Sequence, residues 1–520
     1  MKIASLFIGV VIITCIFSVE NLHVKNQIVE EWNKIYTNLI GQSRDIIETD
    51  KGFLITGYVV KDEWPDIFLL YIDKNGNELW NKTYGGKFED VGEKLLETAN
   101  GYFIEGYTES YGNGGADFWV IKVDKQGNEI WNRTYGGRKD DFAEDIISVN
   151  NGYIMIGYTE SYGRGGDIWV VKIDENGNEI WNRTYGGNGY EWGNDILQTD
   201  GGYIICGVTS SYGKGGWDFW IIKIDDNGKE IWNKTYGYWD MEWAKDIIEV
   251  DDGYIIGGDT TTTLTGWNDI LLLKIDKQGN EIWNKTYGGK DVDSLSDIIK
   301  TGDGYTITGI TESFDVGFFD GWMLRIDENG NEIWNKSFGG RGRDTLDCIL
   351  YCNDGYIMAG SFSRIIENDG RITEPCIWVI KTIDIPPSSI KITKPENGIY
   401  VFDRKLFPYN KKLILGSITI VVSPVEISQD IEKVAFYLSH SYFYDYEPRE
   451  IDYSPPYEWK WNEKAIGLYE ITVAAYYGNA GAVVADKIEV YIINLFPSPS
   501  KSSLAKTNSF TIKGWVPQNK

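Results

Sequence analysis

Histidine, cysteine and proline are scarce in this chain of 520 residues. The two histidines, His23 and His440, lie towards the ends, so histidine acid/base chemistry and histidine-ligated zinc are excluded from the long stretch between them. Five cysteines are too few for a disulfide framework. Thirteen prolines beside 59 glycines, 34 tyrosines and 21 tryptophans favour strands joined by glycine turns, and therefore an all-β protein.

Positive charge and long apolar runs are also limited. Lys and Arg number 50 against 77 Asp and Glu, and the net charge of −27 argues against nucleic acid or an anionic lipid surface as partner. One apolar run, residues 3–19, follows Lys2 and predicts that residues 1–27 are a signal peptide or a retained N-terminal membrane anchor. We therefore expect the protein to be extracellular or at the cell surface, with membrane contact only through this segment.

A tryptophan-centred motif recurs through most of the chain. Trp is followed by Asn and usually by Lys or Arg, Thr or Ser, Tyr or Phe, and Gly. The motif begins at Trp32, Trp80, Trp131, Trp181, Trp232, Trp283 and Trp334, with spacings of 48, 51, 50, 51, 51 and 51 residues. A repeat of this length indicates a solenoid or a propeller.

Each repeat contains four segments that alternate in the manner of strands. From residue 143 they read AEDIISVN, NGYIMIGYTESYGRGG, DIWVVKIDENG and NEIWNRTYGG. Asn-Gly and related pairs separate the segments, and such pairs between alternating runs are strong hairpin signals. The sequence thus predicts a four-stranded antiparallel meander, whose strands we name a, b, c and d.

The strand count distinguishes a ring from an open row. A lone d strand, residues 29–36, precedes the first complete repeat, and the final a-b-c set, residues 345–384, has no d strand of its own. The early strand can complete the last set and leave no open edge. We therefore predict a seven-bladed β-propeller over residues 28–384, closed by the N-terminal strand.

The repeat resembles sequences of a known kind. The strings KIDxNGNxIWNKTYGG and SYGxGGxDxW are similar to the propeller repeats of secreted archaeal and bacterial surface proteins, and loosely similar to the tryptophan-docked repeats of quinoprotein-like propellers. The resemblance covers residues 28–384 and implies the fold. Because such repeats support many functions, no catalytic residue and no cofactor is transferred.

A second domain is expected after Pro386-Pro387. Residues 385–496 contain about seven strand-like runs, which predict an immunoglobulin-like sandwich. The runs IEKVAFYL, PPYEWKW and GLYEITVAAYYGNAG resemble the Ig-like modules appended to secreted prokaryotic enzymes and adhesins, which implies a spacer or contact surface. Residues 497–520, rich in Ser, Pro and Lys, are predicted to be a flexible tail.

Aspartates recur at two positions of the repeat. One set is expected to start the a strands, and the other precedes the c strands: Asp45, Asp145, Asp195, Asp246 and Asp297; Asp66, Asp117, Asp167, Asp218, Asp269 and Asp320. They either bind cations or accept backbone N–H bonds in their own loops. The loop interpretation is favoured, so no metal is predicted. In the last repeat these positions hold Cys348 and Cys376, which are expected to be buried thiols because a disulfide would have to span strand b.

Six d strands carry an N-glycosylation sequon. The candidate acceptors are Asn81, Asn132, Asn182, Asn233, Asn284 and Asn335. Either the outer strand carries glycan, or strand pairing alone explains the Asn and Thr positions.

The repeat departs most from its own pattern between residues 190 and 267. The candidate ligand-binding residues there are Tyr190, Glu191, Trp192, Trp217, Trp239, Asp240, Glu242, Trp243 and Trp267. Aromatic rings beside carboxylates are typical of sugar sites, although these rings could also fill gaps between blades. We expect a non-catalytic binding or adhesion protein whose propeller face contacts a glycan or a surface protein.

Two alternatives remain open. One is a secreted polysaccharide hydrolase or lyase with paired acids such as Glu191 and Glu242. The other is a structural component of the cell envelope.

Overall fold

In a computed structural model, the described residues are 27–494 except 62, 262–267, 303, 315–317, 353–354, 364–372, 386–389, 396–397, 402–403, 408–411, 416–417, 425–432, 441–449, 453–456, 462–464 and 477–481. The apolar leader, the tail and Trp267 therefore lie outside the described residues. The chain divides into two compact units, one of which is Ile28–Asp384 and the other of which contains the residues from Ile385 onward.

All elements in the described residues are β-strands. The first unit contains β1 (Gln27–Thr49), β2 (Gly52–Val60), β3 (Pro65–Asp73), β4 (Glu78–Tyr84), β5 (Asp90–Thr98), β6 (Gly101–Thr108), β7 (Asp117–Val123), β8 (Glu129–Tyr135), β9 (Asp141–Val149), β10 (Gly152–Thr159), β11 (Asp167–Ile173), β12 (Glu179–Tyr185), β13 (Glu191–Thr199), β14 (Gly202–Thr209), β15 (Asp218–Ile224), β16 (Glu230–Tyr236), β17 (Glu242–Val250), β18 (Gly253–Thr260), β19 (Asp269–Asp276), β20 (Glu281–Tyr287), β21 (Asp293–Thr301), β22 (Gly304–Thr311), β23 (Asp320–Asp327), β24 (Glu332–Phe338), β25 (Cys348–Cys352), β26 (Gly355–Phe362) and β27 (Cys376–Ile385).

These strands form repeated antiparallel sheets in chain order. Five separate sheets have four strands each: β5–β8, β9–β12, β13–β16, β17–β20 and β21–β24. A further seven-stranded sheet has the order β25-β26-β27-β1-β2-β3-β4. It consists of two four-stranded sets that share β1. We number the sets repeats 1 to 7, from the set that contains β2–β4 to the set that contains β25–β27.

The long first strand takes part in two repeats. Its second half, from Gly41, pairs with β2, and its other neighbour in the sheet is β27. The Trp378 indole N–H donates to the Asn33 side chain over 2.7 Å, as the Trp119 indole does to Asn132 within repeat 2 over 3.2 Å. The early strand therefore pairs with the last repeat and makes the side-chain contact that d strands make elsewhere.

The c–d turns follow from the Asn-Gly signals. In the first of them, Asp73 accepts backbone N–H bonds from Asn75 and Asn77, while Gly76 has a φ of 73°. Only glycine adopts this conformation without steric cost. The same Asp-centred bonds recur in the later repeats, which accounts for the regular strand spacing.

Side chains from neighbouring repeats share each hydrophobic core. Leu54 and Leu69 of repeat 1, for example, belong to one buried cluster with Ile104 and Ile121 of repeat 2. Sheets packed face to face in this way bury both of their surfaces, which explains the nearly continuous apolar b and c strands.

The outer strands connect each repeat to the next. A d-strand tyrosine hydroxyl donates to the carbonyl of the turn glycine in the following repeat, from Tyr84 to Gly127 over 2.6 Å and from Tyr135 to Gly177 over 2.7 Å. The Trp80 ring lies against Gly127 so closely that a Cβ added to this glycine would be 2.9 Å from the ring. The first strand repeats the pattern, because Tyr36 donates to the Gly76 carbonyl over 2.9 Å.

The second unit contains two sheets around one core. Its strands are β28 (Ile390–Lys394), β29 (Gly398–Val401), β30 (Arg404–Phe407), β31 (Lys412–Leu415), β32 (Ile418–Pro424), β33 (Lys433–His440), β34 (Glu450–Asp452), β35 (Tyr457–Trp461), β36 (Ala465–Tyr476) and β37 (Ala482–Asn494). The sheet orders are β28-β32-β35 and β30-β29-β31-β37-β36-β33-β34. Trp459, Trp461 and Phe436 are buried between them.

Candidate ligand-binding cavity

The a strands begin earlier than the sequence analysis expected. Strand β9 starts at Asp141, four residues before Asp145, and β13 starts at Glu191. The recurring aspartate, such as Asp145, therefore lies within the a strand instead of at its start. The acidic residues that do start a strands, such as Glu191 and Glu242, accept hydrogen bonds from the loops that precede them.

A β-bulge interrupts the a strand directly before this aspartate. In repeat 3, Ala143 and Asp145 pair with consecutive residues of β10, so Glu144 is left without a partner in the ladder. The same shift occurs in repeats 1, 2, 4, 5 and 6. Bulges redirect side chains and are common beside functional sites.

The aspartates after the bulges bridge neighbouring repeats. Asp195 accepts the backbone N–H of Ile247 over 2.9 Å, and Asp246 accepts that of Ile298 over 2.8 Å. Asp45, Asp145 and Asp297 bond to the next repeat in the same way. Each partner is an a-strand N–H one repeat further along, so these carboxylates join the a strands to one another.

Lys94 takes the place of this aspartate in repeat 2. Burial opposes its charge, but the surrounding carboxylates, Asp45 first and then Asp145 and Asp195, raise the pKa of Lys94 well above its usual value. Burial and then the charges of Asp195 and Asp297 raise the pKa of Asp246 well above its usual value. Burial also acts to raise the pKa of Asp195, but hydrogen bonds from Asp246 and Asp145 lower it.

All the bulge residues, and the residue of repeat 7 that corresponds to them, line one cavity of about 500 Å³. They are Arg44, Glu93, Glu144, Asn194, Lys245, Ser296 and Asp347. Each comes from a different repeat, and they include both charge signs, an amide and a hydroxyl. The position that follows is Asp in five of the seven repeats, so the repeats differ more in chemistry at the residue that lines the cavity than at the next one.

One wall of the cavity is aromatic. The Trp192 ring is stacked on Tyr158 with centroids 4.3 Å apart and an interplanar angle of 12°, and its other stacked neighbour is Phe142 at 5.7 Å. The Trp192 indole N–H donates to the Glu144 carboxylate over 2.8 Å. Trp243 also lines the cavity and lies 5.1 Å from Trp217.

Two acids of the cavity have strongly shifted pKa values. Burial and the nearby Glu93 charge raise the pKa of Glu144 to about 8, against the hydrogen bond from Trp192. Burial raises the pKa of Asp347 to about 6, although Arg44 acts in the opposite direction. Both groups therefore change charge near neutral pH, which is where ligand binding would be sensitive to them.

Of the residues predicted to bind ligand, Trp192 and Trp243 line the cavity. Trp217 is behind Trp243, and Trp267 lies outside the described residues. Trp239 is 80% exposed and Tyr190 is 54% exposed. Asp240 is also exposed and uses its backbone carbonyl to accept the Gly216 N–H. The structure thus separates these aromatic residues into a cavity group and an outer loop group.

Glu191 and Glu242 are completely buried. Glu191 accepts the Gly187 N–H over 2.7 Å and the Thr209 hydroxyl over 2.9 Å. Glu242 accepts the Tyr238 N–H and the Thr260 hydroxyl at similar distances. Asp141 makes the same bonds in repeat 3, to Gly137 N–H and the Thr159 hydroxyl. Both glutamates therefore hold the d–a loops of their repeats.

The aspartates before the c strands have a similar role. Asp117 accepts the Asn113 N–H over 2.6 Å, and Asp167 accepts the Arg164 N–H over 2.8 Å. In the described part of the chain, no group of three or more His, Cys, Asp or Glu side chains is arranged to hold a metal ion. Cys348 and Cys376 are free thiols; Cys348 is buried as predicted, whereas Cys376 is partly exposed.

The sequon asparagines lie within the outer strands. The Asn132 side chain donates to Glu129 over 2.7 Å and accepts the Trp119 indole N–H, and Asn182 makes the equivalent bonds to Glu179 and Trp169. Asn81, Asn233, Asn284 and Asn335 likewise donate to a glutamate three residues earlier. Glycosylation of these residues stays a prediction.

No protein-family model matches the chain, and no curated protein matches it. Among solved structures, it is similar to a europium-containing methanol dehydrogenase, with 10% identity, 68% of this chain and 93% of that chain covered, and a TM-score of 0.37. A Synechocystis apocarotenoid oxygenase gives 11% identity, 70% and 95% coverage, and a TM-score of 0.38. These two structural neighbours are β-propeller proteins. The repeated sheets fit propeller blades.

The likeness concerns the fold alone, so the chemistry of the propeller must be argued from this chain's own residues. No helix in the described residues is long and apolar enough to cross a membrane.

Proposed function

We propose that this protein is an extracellular or cell-surface binding protein that holds a glycan in the cavity between the bulged a strands. The observation that carries the proposal is the set of seven residues, of six different types, at one repeat position around a cavity of about 500 Å³. That volume is within the range of small-ligand pockets. Stacked rings supply flat apolar surface for sugar C–H groups, and the acids supply hydroxyl acceptors.

We further propose that the seven repeats close into a seven-bladed propeller. Three contacts support closure: β1 lies between β27 and β2, Tyr36 docks on Gly76, and residues of all seven repeats line the same cavity. A closed ring would hold the cavity rigidly because the a strands bridge one another. The second unit would be an Ig-like spacer, since it has two sheets around a tryptophan-rich core.

Hydrolysis or lysis of a polysaccharide is the second candidate function. The specific observation is Glu144, whose pKa of about 8 would keep it protonated at neutral pH as a general acid requires. Glu93 carries the nearby charge and would be the second carboxylate. Glu191 and Glu242 are less suitable because their carboxylates are buried and occupied by loop bonds.

The test is a glycan array with the protein from Gln27 onward, followed by calorimetry on the best glycan. We expect Trp192→Phe and Trp243→Phe to weaken binding, because these rings line the cavity, and we expect Trp239→Ala to leave it unchanged, because that ring is outside it. Loss with Trp239→Ala alone would move the site to the outer loops. Absence of binding to any glycan would overturn the proposal and favour a structural envelope component.

Product analysis of the same glycan decides between binding and catalysis. Shortened or unsaturated products that disappear in Glu144→Gln would establish the enzyme. An intact glycan after long incubation would establish binding alone.

A further inference from the structure

We propose that the ligand is a saccharide with an unacetylated, protonated amino group, and that the acids of the cavity bind this ammonium. The inference rests on the proposed function and specifies its ligand. It follows from which charges and hydrogen-bonding groups of the cavity already have partners.

The basic groups of the cavity are already engaged. Arg44 forms an ion pair with Glu93, with 3.4 Å between Nε and Oε2. The Lys245 ammonium lies 2.7 Å from an Asp259 carboxylate oxygen and donates to Ser294 and to the Leu295 carbonyl, both at 2.7 Å. The Lys245 ammonium therefore has no donor left for a ligand, and the charge of Arg44 is balanced by Glu93.

Carboxyl groups outnumber basic groups in the cavity, although Glu144, with a pKa of about 8, is protonated at neutral pH. Besides Glu93, the cavity is lined by Glu144, Asp195, Asp246, Asp297 and Asp347. No ion pair among the described residues includes any of these five. The one remaining base, Lys94, lies among several aspartates and supplies a single positive charge. A cationic ligand would therefore be attracted, and an anionic one repelled.

Two side-chain N–H donors at the cavity are used within the protein: the Trp192 indole donates to Glu144, and the Asn194 amide donates to the Ala244 carbonyl over 2.5 Å. The buried Arg44 Nε has no hydrogen-bond partner and is the exception. Carboxylate acceptors remain. An ammonium has three donors and no acceptor, so it complements such a wall, whereas an acetamido group brings a carbonyl that needs a donor.

The aromatic wall favours the same ligand. A cation held over a tryptophan face gains cation–π attraction, and a sugar ring gains C–H stacking on the same face. Trp192 and Trp243 both line the cavity beside the acids. An amino sugar uses both interactions, while a plain amine uses only the first.

A buried carboxyl behind the cavity is an independent observation. Glu105 pairs with Lys94 across strands β5 and β6, is fully buried, and has no hydrogen-bond partner at either carboxylate oxygen. Burial first, and then the charges of Asp145 and Glu144, raise its pKa well above the usual value. Burial of the Glu105 carboxyl without a hydrogen-bond partner costs free energy, and a cation bound among the nearby cavity acids would reduce that cost.

The experiment is calorimetry with three probes on the protein from Gln27 onward. The probes are a glucosamine oligomer, its N-acetylated counterpart of the same length, and 1,5-diaminopentane. We expect the glucosamine oligomer to bind about tenfold or more tightly than the acetylated one, and the diamine to bind more weakly than the oligomer. Added salt should reduce this preference.

Isosteric variants locate the charge. Asp347→Asn should reduce affinity for the glucosamine oligomer several-fold at neutral pH, because it removes a negative charge of the cavity and leaves the side-chain shape. Glu144→Gln should change this affinity much less, because Glu144 is already protonated at that pH. Glu109→Gln is the matched control, since Glu109 is an exposed acid outside the cavity. Unfolding midpoints of the variants report whether each is folded.

The outcomes separate the two proposals. Equal binding of the acetylated oligomer would overturn the ammonium inference and leave the glycan site standing. Binding of the diamine as tightly as the oligomer would overturn the saccharide and support the ammonium. Failure of all three probes would overturn the inference, while the glycan array independently tests the proposed function. An equal loss in Glu109→Gln would overturn the assignment to the cavity.

Discussion

Removal of the first half of β1 tests whether the repeats close into a ring. A protein that begins at Gly41 lacks Ile28, Tyr36 and Leu39, which are 6%, 8% and 3% exposed. Burial of each such side chain contributes about 1.5–3 kcal/mol, so we expect a loss of about 5–9 kcal/mol. This is comparable with the whole free energy of unfolding of a typical domain. The Trp378 and Gly76 partners would also lose their hydrogen bonds.

Urea unfolding, followed by tryptophan fluorescence, measures the effect against the protein that begins at Gln27. A synthetic peptide of residues 27–40 should restore the midpoint when it is added to the shortened protein. The same peptide with Tyr36→Ala should restore less, because it lacks the ring that docks on Gly76. An unchanged midpoint in the shortened protein would refute the reasoning about closure.

Three further predictions concern single residues. Tyr135→Phe should lower the free energy of unfolding by about 1 kcal/mol in urea unfolding, because its hydroxyl bonds to the next repeat, and no change would refute the inter-repeat bond. Glu105→Thr should raise the free energy of unfolding by about 1–2 kcal/mol, because it removes a buried carboxyl that has no hydrogen-bond partner. Threonine fits there, since Thr56 and Thr308 occupy the equivalent position in other repeats. A lower free energy of unfolding would contradict this prediction. The folded pKa of Glu144, about 8, lies above the ordinary glutamate value of 4.5, so the free energy of unfolding should fall as pH rises between these values. The Glu144→Gln variant should lose this pH dependence, and at pH 9 it should be more stable than the unsubstituted protein by about 2 kcal/mol. Urea unfolding of both proteins at the low and the high end of this pH range measures the difference.

Most of the propeller part could be predicted from alternation and turn chemistry. The Asn-Gly turns have a local cause, the positive φ of glycines such as Gly76 and Gly127, and therefore they are visible in the sequence. The continuity of β1 was not visible. Residues 37–40 carry no strand signal of their own, and their pairing depends on contacts with a repeat more than 300 residues away.

The candidate cavity could be predicted only in part. Trp192 and Trp243 stood out because they are large and interrupt the repeat. The bulge residues did not, since strict alternation would turn Glu93, Asn194 and Lys245 away from the aspartate after them. The signal that could have revealed them is variation: the residue before the repeated aspartate has six identities in seven repeats, whereas the next position is Asp in five of the seven. Lys94 and Cys348, the two exceptions at the aspartate position, were a further signal.

The two glutamates of the proposed hydrolase pair illustrate another limit. Glu191 and Glu242 looked distinctive beside their aromatic neighbours, but they are longer versions of the loop acids Asp90, Asp141 and Asp293. The equivalence is visible when the repeats are aligned by the first residue of the a strand, but not when they are aligned by the aspartate that follows the bulge.

If the cavity binds a ligand as proposed, the bulges of repeats 1 to 6 place its varied residues outside the strand ladder. Substitution of an unpaired residue leaves the strand pairing unchanged and removes only side-chain contacts such as those of Asn194 and Lys245. Related proteins could therefore differ at the seven cavity residues, about one in each repeat, and bind different ligands while the sheets stay the same. A library of variants randomised at these seven positions would test this directly.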